Sequence, residues 1–315
     1  MVTRSGPAGY AAQWNDDIHH AWHVGLTGES HGYYGDYADN PERDLGRALA
    51  QGYVYQGETS SFSGTPRGEP SDHLAPTNFI AFLQNHDQIG NRAFGERLTT
   101  LTRWERLAAA AATHLLCPQI PLLFMGEEWA TQTPFQFFCG FDGDLAQAVR
   151  DGRRREFGLT DIPDPIENET VARSRLKWQE LDDPWAAERL RYYRTLLTLR
   201  AEHLAPLLPD LKPGRTAGGG EQALLVMWPT QVPDGRQPGR TTAKTAAERD
   251  RRATIWGMAV NLSDIPRPAP TESGSEGQAP HLIVAVISGR VDDSIQAIPS
   301  RLPPWSAYVF KEAPT

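Results

Sequence analysis

Apolar and polar positions along the chain fall into two regimes. Up to about residue 204, apolar runs alternate with helical patterns. Past Gly218-Gly219-Gly220, short runs rich in Val, Ile, Trp and Tyr follow one another, separated by Gly, Pro and Asp. In the first regime FIAFLQ, residues 79–84, is almost wholly apolar, which predicts a strand buried on both faces of a parallel sheet. IPLLFM, residues 120–125, predicts a second buried strand, closed by Gly126. A shorter strand candidate, residues 9–14, runs into Asn15-Asp16-Asp17, which are good helix starters. Residues 102–116 predict a helix: Thr102 as cap, Glu105 three positions on, then an alanine-rich run ended by Pro118. Residues 183–203 predict another, with Asp183 as cap, Pro184 in the first position, and Leu190, Tyr193, Leu197 and Arg200 along one face. Strand–helix alternation implies a parallel α/β arrangement. The runs 223–228, 253–261, 281–288 and 306–310 predict a small antiparallel β domain, a sandwich. Polar, low-complexity separators at 231–252 and 265–280 read as surface loops. The expected division is residues 1–204 and residues 205–315.

Composition narrows the partners. The chain has 315 residues, enough for a large core, and a formal net charge of −8 that argues against a nucleic-acid partner. No window approaches the ~18 consecutive apolar residues of a membrane span. Residues 1–16 lack the apolar stretch of a secretory leader, so the expectation is a soluble, cytoplasmic chain. Cys117 and Cys139 are too few for a disulfide framework or a cysteine-based zinc site. No cofactor or metal is expected.

In parallel α/β folds the reactive groups gather where strands end. FIAFLQ runs into Asn85-His86-Asp87-Gln88 and then Gly90-Asn91-Arg92. So many hydrogen-bonding side chains directly after a dry strand point to a site, although Asn85-His86-Asp87 also fits a helix cap with a structural His–Asp pair. IPLLFM runs into Gly126-Glu127-Glu128-Trp129, where acidic residues also suit a helix start. A third cluster, residues 14–23, holds Trp14, Asp16, Asp17, His19, His20 and His23. His19 and His23 have a metal-ligand spacing, but the flanks lack the glutamate of a zincin motif. A carbohydrate-facing loop is the better reading there: Trp and Tyr faces stack on sugar rings while Asp and His bind hydroxyls. TGESHGYYGDY, residues 27–37, extends that surface.

These segments resemble the alpha-amylase superfamily of glycosidases. FIAFLQNHDQIGNR is similar to the segment at its seventh barrel strand, and PQIPLLFMGEEW to the eighth strand of its branching and trehalose-forming members. GYAAQWNDDIHHAWHVGLTGESHGYYGDY resembles the sixth-strand region of the maltooligosyltrehalose trehalohydrolase branch, as do TPFQFFCGFDGDLAQAVRDGRRREFG and SRLKWQELDD. The resemblance implies a glycosidase acting on maltooligosyltrehalose or a related α-glucan. Such an enzyme cleaves the α-1,4 bond next to the terminal trehalose with retention, one carboxylate attacking and a second serving as acid and base. By motif position Asp87 is a third, transition-state-stabilising carboxylate. His86 binds a neighbouring hydroxyl, and Asn85, Gln88, Arg92, Asp16, His20, Glu128 and Trp129 are further substrate-binding candidates. The family's nucleophile and acid–base residues come from its fourth and fifth strands, and residues 1–77 contain neither motif. The expectation is therefore units six to eight of a (β/α)8 barrel followed by the β domain. Such a fragment, inactive alone, would be partnered by the missing N-terminal half. Two alternatives share the NHD and LLFMGEE segments or dispense with catalysis: a branching or debranching enzyme, and a non-catalytic glucan-binding module.

Overall fold

The structure, a computed structural model, describes residues 9–218, 223–231, 254–270 and 280–312. Most of the separator 231–252 and residues 271–279 of the second one lie outside the described residues.

Three short strands, β1 (Gln13–Trp14), β2 (Phe79–Ala81) and β3 (Ile120–Pro121), form a parallel sheet with β2 in the middle. Asn15 caps the helix Asp16–Thr27, its side chain accepting from the Ile18 amide, and the helix stops at Gly28 in a left-handed conformation. Nine of its twelve residues are buried, four of them polar, so it is an interior helix whose polar side chains need partners from other elements. The helix Pro41–Gln51 opens with Asn40 as cap and proline in its first turn. It ends at Gly52, where φ is +100° and a Cβ would lie 2.2 Å from the Phe79 ring. Glycine is what lets this turn close over β2.

Two helices differ from the pattern-based expectation. The alanine-rich helix runs Trp104–Leu116 with Arg103 before it, and Thr102 does not cap it: its amide closes the preceding turn Leu98–Leu101 and its hydroxyl donates to the carbonyl of Leu26. The last helix of the first region runs Pro184–Leu199 and passes into a π turn, Arg200–Leu204. Its buried stripe is Ala186, Tyr192, Tyr193 and Leu196, whereas Leu197 faces solvent. Segment 120–125 also departs from the dry strand expected. Ile120 and Met125 are 40% and 43% exposed, because β3 is an edge with no strand beyond it among the described residues.

The remaining strands are β4 (Arg215–Gly218), β5 (Leu224–Pro229), β6 (Ile255–Asn261), β7 (Arg267–Pro268), β8 (His281–Ile287), β9 (Arg290–Val291), β10 (Arg301–Leu302) and β11 (Ser306–Glu312). Six of them form an antiparallel sheet in the order β4-β5-β6-β11-β8-β9, and β7 pairs with β10 separately. Both faces of the sheet are covered. Val226, Trp228, Trp256, Met258, Val284 and Val309 merge with the helices into one apolar core. Leu225, Met227, Ala259, Ala285, Tyr308 and Phe310 pack under the returning loop beside Leu302. Two indoles tie sheet to helices: Trp256 donates to the carbonyl of Leu116 at 2.9 Å and Trp228 to that of Leu49 at 3.2 Å. These carbonyls lie in the last turns of their helices, where no intrahelical donor remains.

Candidate active site

The three parallel strands deliver three polar segments to one end of the sheet. After β2, the chain stays buried through Gln84 and Asn85 and then turns outward. Asn85 is 1% exposed and accepts from the amides of Asp87 (2.8 Å) and Gln88 (3.4 Å), capping the one-turn helix His86–Gly90. The cap lifts His86 and Asp87 into solvent, their side chains 54% and 65% exposed and their charged atoms 3.7 Å apart. From β1, Asp16 reaches the same place. The Gln88 amide donates to its carboxylate at 3.3 Å, and the Trp14 ring lies 6.2 Å from that of His86. Asp16 titrates above the usual carboxylate range, first because surrounding protein displaces water, then through the charges of Asp17 and Asp87.

Several sequence candidates support this surface from within. Asn85 is a cap, so its expected contact with a sugar is corrected to positioning. His20, 8% exposed, lies against the hydroxyl of Tyr37 at 3.3 Å, and burial pushes its imidazole down to about 3. Little of it is open to a ligand. Trp129 is 2% exposed; its indole donates to Glu180 at 3.1 Å and its ring packs on that of Trp178. It too braces a loop. Arg92 is half-buried and bidentate on Glu29, at 2.7 and 3.0 Å, with Glu96 on its other side. Glu29 also meets His23 Nε2 at 2.7 Å, and the Arg92 hydrogen bonds hold its carboxyl down at about 2. The network locks the 27–37 segment onto the loop after β2.

Of the rings in residues 14–37 expected to face a carbohydrate, few reach the surface. Trp14 and Tyr33 are each 40% exposed, while His19, His23, Tyr34 and Tyr37 are buried. His19 spends both ring nitrogens, on the carbonyl of Leu83 at 2.6 Å and the hydroxyl of Tyr34 at 3.0 Å. Among the described residues no group of three or more His, Cys, Asp or Glu side chains is arranged to hold a metal ion. Nor is any described helix long and apolar enough to cross a membrane.

After β3, Glu128 stays half-buried while Glu127 turns inward, 2% exposed. The Gln84 amide and Tyr193 hydroxyl lie 3.4 Å from the Glu127 carboxyl, and burial pushes that group up to about 8. Arg97, also buried, holds the loop from beneath. It donates to the carbonyls of Thr133 (2.6 Å) and Met125 (2.9 Å) with Phe124 against its plane. Arg97 and Glu180 escaped sequence reasoning, because their partners lie tens of residues away with no local pattern.

No family model matches the chain. Over 200 residues it is 46% identical to a malto-oligosyltrehalose trehalohydrolase of Deinococcus radiodurans, a match covering 60% of this chain and 33% of that protein. A crystal structure described as a candidate alpha amylase from Salmonella typhimurium superposes with a TM-score of 0.80 at 38% identity. That match takes in 98% of this chain and 49% of the other. An AmyP variant in complex with maltotriose shares the fold alone, at 16% identity and a TM-score of 0.50, across all of this chain and 53% of that one. The chain spans about a third of the length of the curated relatives it matches. With the architecture of alpha-amylase-type enzymes and these identities, the chain is similar to the C-terminal part of the malto-oligosyltrehalose trehalohydrolases.

Proposed function

We propose that this chain forms the substrate-gripping part of a retaining glycosidase that releases trehalose from maltooligosyltrehalose. The observation that carries the reading is the exposed His86–Asp87 pair beside Asp16, at the ends of neighbouring parallel strands. In this reading Asp87 accepts hydrogen bonds from ring hydroxyls and strengthens them as positive charge develops on the sugar. It therefore favours the oxocarbenium-like state over the ground state. His86 binds an adjacent hydroxyl. Gln88 and Arg92 hold the loop, with Asp16 and Glu128 bordering the site. The strands correspond to units six to eight of a barrel. The attacking and proton-transferring carboxylates then come from sequence outside residues 1–315, which would also cover the open edges of β1 and β3.

The test is trehalose release from maltooligosyltrehalose, measured for the chain alone and after adding the remaining two thirds of the Deinococcus relative. Activity is expected with the addition and absent without it. Asp87→Asn should then cut the rate by about a thousandfold while moving stability by less than about 0.5 kcal/mol. Turnover by the chain alone overturns the division of labour. New α-1,6 branches in place of trehalose would assign the site to a branching enzyme, and glucan binding that never leads to turnover would leave a binding module.

A further inference from the structure

The segment TPFQFFCGFDGDLAQAVRDGRRREFG, residues 133–158, follows β3 and folds into the helix Gly143–Phe157. Three arginines stand together near the end of this helix. Arg154 and Arg155 lie in solvent, whereas Arg153 is 9% exposed. A guanidinium taken out of water is costly unless its donors find acceptors, so the partners of Arg153 are informative.

Its Nη2 donates to the carbonyls of Arg92 at 3.1 Å and Gly90 at 3.3 Å, and its Nη1 to Glu156 at 3.0 Å. The rings of Phe137 and Phe157 each lie 4.7 Å from its guanidinium carbon, so aromatic contact fixes the side chain as well. Two carbonyls reached by one planar fork among aromatic rings suit arginine and not the point charge of a lysine. Gly90 is the last residue of the one-turn helix that begins at His86, and its carbonyl has no intrahelical donor. The turn is therefore fastened at both ends. Asn85 accepts from the amides of Asp87 and Gln88 at the entry, and Arg153 donates to the carbonyls at the exit.

Between these two fastenings stand His86 and Asp87. The Asp87 side chain is 65% exposed, and His86 stands 3.7 Å from it, beyond hydrogen-bond distance. The place of that carboxylate is thus set by the backbone that carries it. We propose that Arg153 is a positioning residue for the glycosidase reaction, holding the exit of the His86–Gly90 turn so that Asp87 meets the sugar where positive charge develops. A carboxylate acts there only if it is placed before the reaction begins, and a small displacement costs rate. The inference rests on the Asp87 reading and deepens it, by tying the helix Gly143–Phe157 to the chemistry.

The experiment is a double-mutant cycle on trehalose release by the whole chain supplemented with the remaining two thirds of the Deinococcus relative, beside amide hydrogen exchange of the chain by itself. Arg153→Lys keeps the charge and loses the fork. It should lower kcat about tenfold with KM unchanged, because Asp87 acts on the transition state more than on bound substrate. In an Asp87→Asn background the same substitution should change the rate by less than about twofold, since the group it positions is gone. A loss of folded protein would instead act equally in both backgrounds. Exchange should quicken at the amides of Ile89 and Asn91, which bond to the carbonyls of Asn85 and Asp87, and stay as it was in the helix Asp16–Thr27. Phe137→Leu, which leaves Arg153 in place, should give the same pattern at about threefold, so the result does not hang on one variant folding. An unchanged kcat, equal losses in both backgrounds, or exchange at Ile89 and Asn91 that neither substitution moves overturns the positioning role. The Asp87 reading survives those results as long as Asp87→Asn still cuts the parent rate. A parent rate that Asp87→Asn leaves unchanged, or no turnover by the supplemented parent, overturns that reading and the positioning role with it.

Discussion

The parallel strands and the antiparallel sheet are written in equally apolar sequence but spend it differently. In the sheet, Val226, Trp228, Trp256, Met258 and Val309 are each at most 2% exposed, and alternate residues serve two separate clusters. In the parallel region the strands shrink to two or three residues. The apolar side chains of Trp14, Ile120 and Met125 remain open, and polar atoms of Asn85, Gln88 and Arg97 are buried without a partner. Unmatched buried polar atoms occur on both sides, since Tyr308 in the sheet and Trp22 and His114 in the helices also keep some. The contrast teaches that the antiparallel sheet spends its apolar sequence on burial, whereas the short parallel strands leave part of theirs open and carry polar segments at their ends.

The strongest way to break that contrast is to remove a shared anchor. Trp256→Ala should cost about 3–5 kcal/mol, since it removes a buried ring and orphans the Leu116 carbonyl. Denaturant unfolding followed by circular dichroism should still show one transition, because the core is continuous. Two separated transitions would mean that the regions stand apart. Next, Asp17→Ala should cost about 3 kcal/mol by freeing buried amides and the Arg67 guanidinium together. Limited proteolysis should then cut within 53–71 first.

A third effect is one of pH. Glu127 holds its proton up to about pH 8 when folded, against an ordinary value of 4.5. Between these values the folded state binds more protons than the unfolded one, so stability falls as pH rises through that window. His20 and His114, pushed down to about 3 by burial, act oppositely: their contribution is full above 6.5 and drains away as pH falls toward 3. Glu127→Gln should flatten the alkaline limb of a melting-temperature profile and leave the acid limb. The smallest effect is at the β3 edge. Ile120→Lys should change stability by less than about 0.5 kcal/mol, yet reduce self-association in sedimentation experiments, because it places a charge on an open strand edge.

The strand ahead of His86-Asp87, the Asn15 start, the parallel arrangement and the tail strands were all legible, since each rests on local period or cap chemistry. What stayed hidden needed partners far along the chain. Asp17 looked like one of two helix-starting aspartates, and its Arg67 partner lies fifty residues on. His20 and Trp129 looked like ligand contacts because imidazole and indole serve at sugar sites, but both are absorbed by neighbours brought in by the fold. The dryness of IPLLFM misled for a different reason. An apolar run reports what a strand can bury, and β3 has nothing beside it on one side.

The indoles of Trp228 and Trp256 carry one more implication. Each plugs the exit of a different helix, so the tail pairs helix-end carbonyls that lie 179 and 140 residues earlier. Excising it would strip two helix ends and uncover the greasy flank they share with the sheet at one stroke. A graft of this tail onto another scaffold could keep its seat there only by taking both helices along.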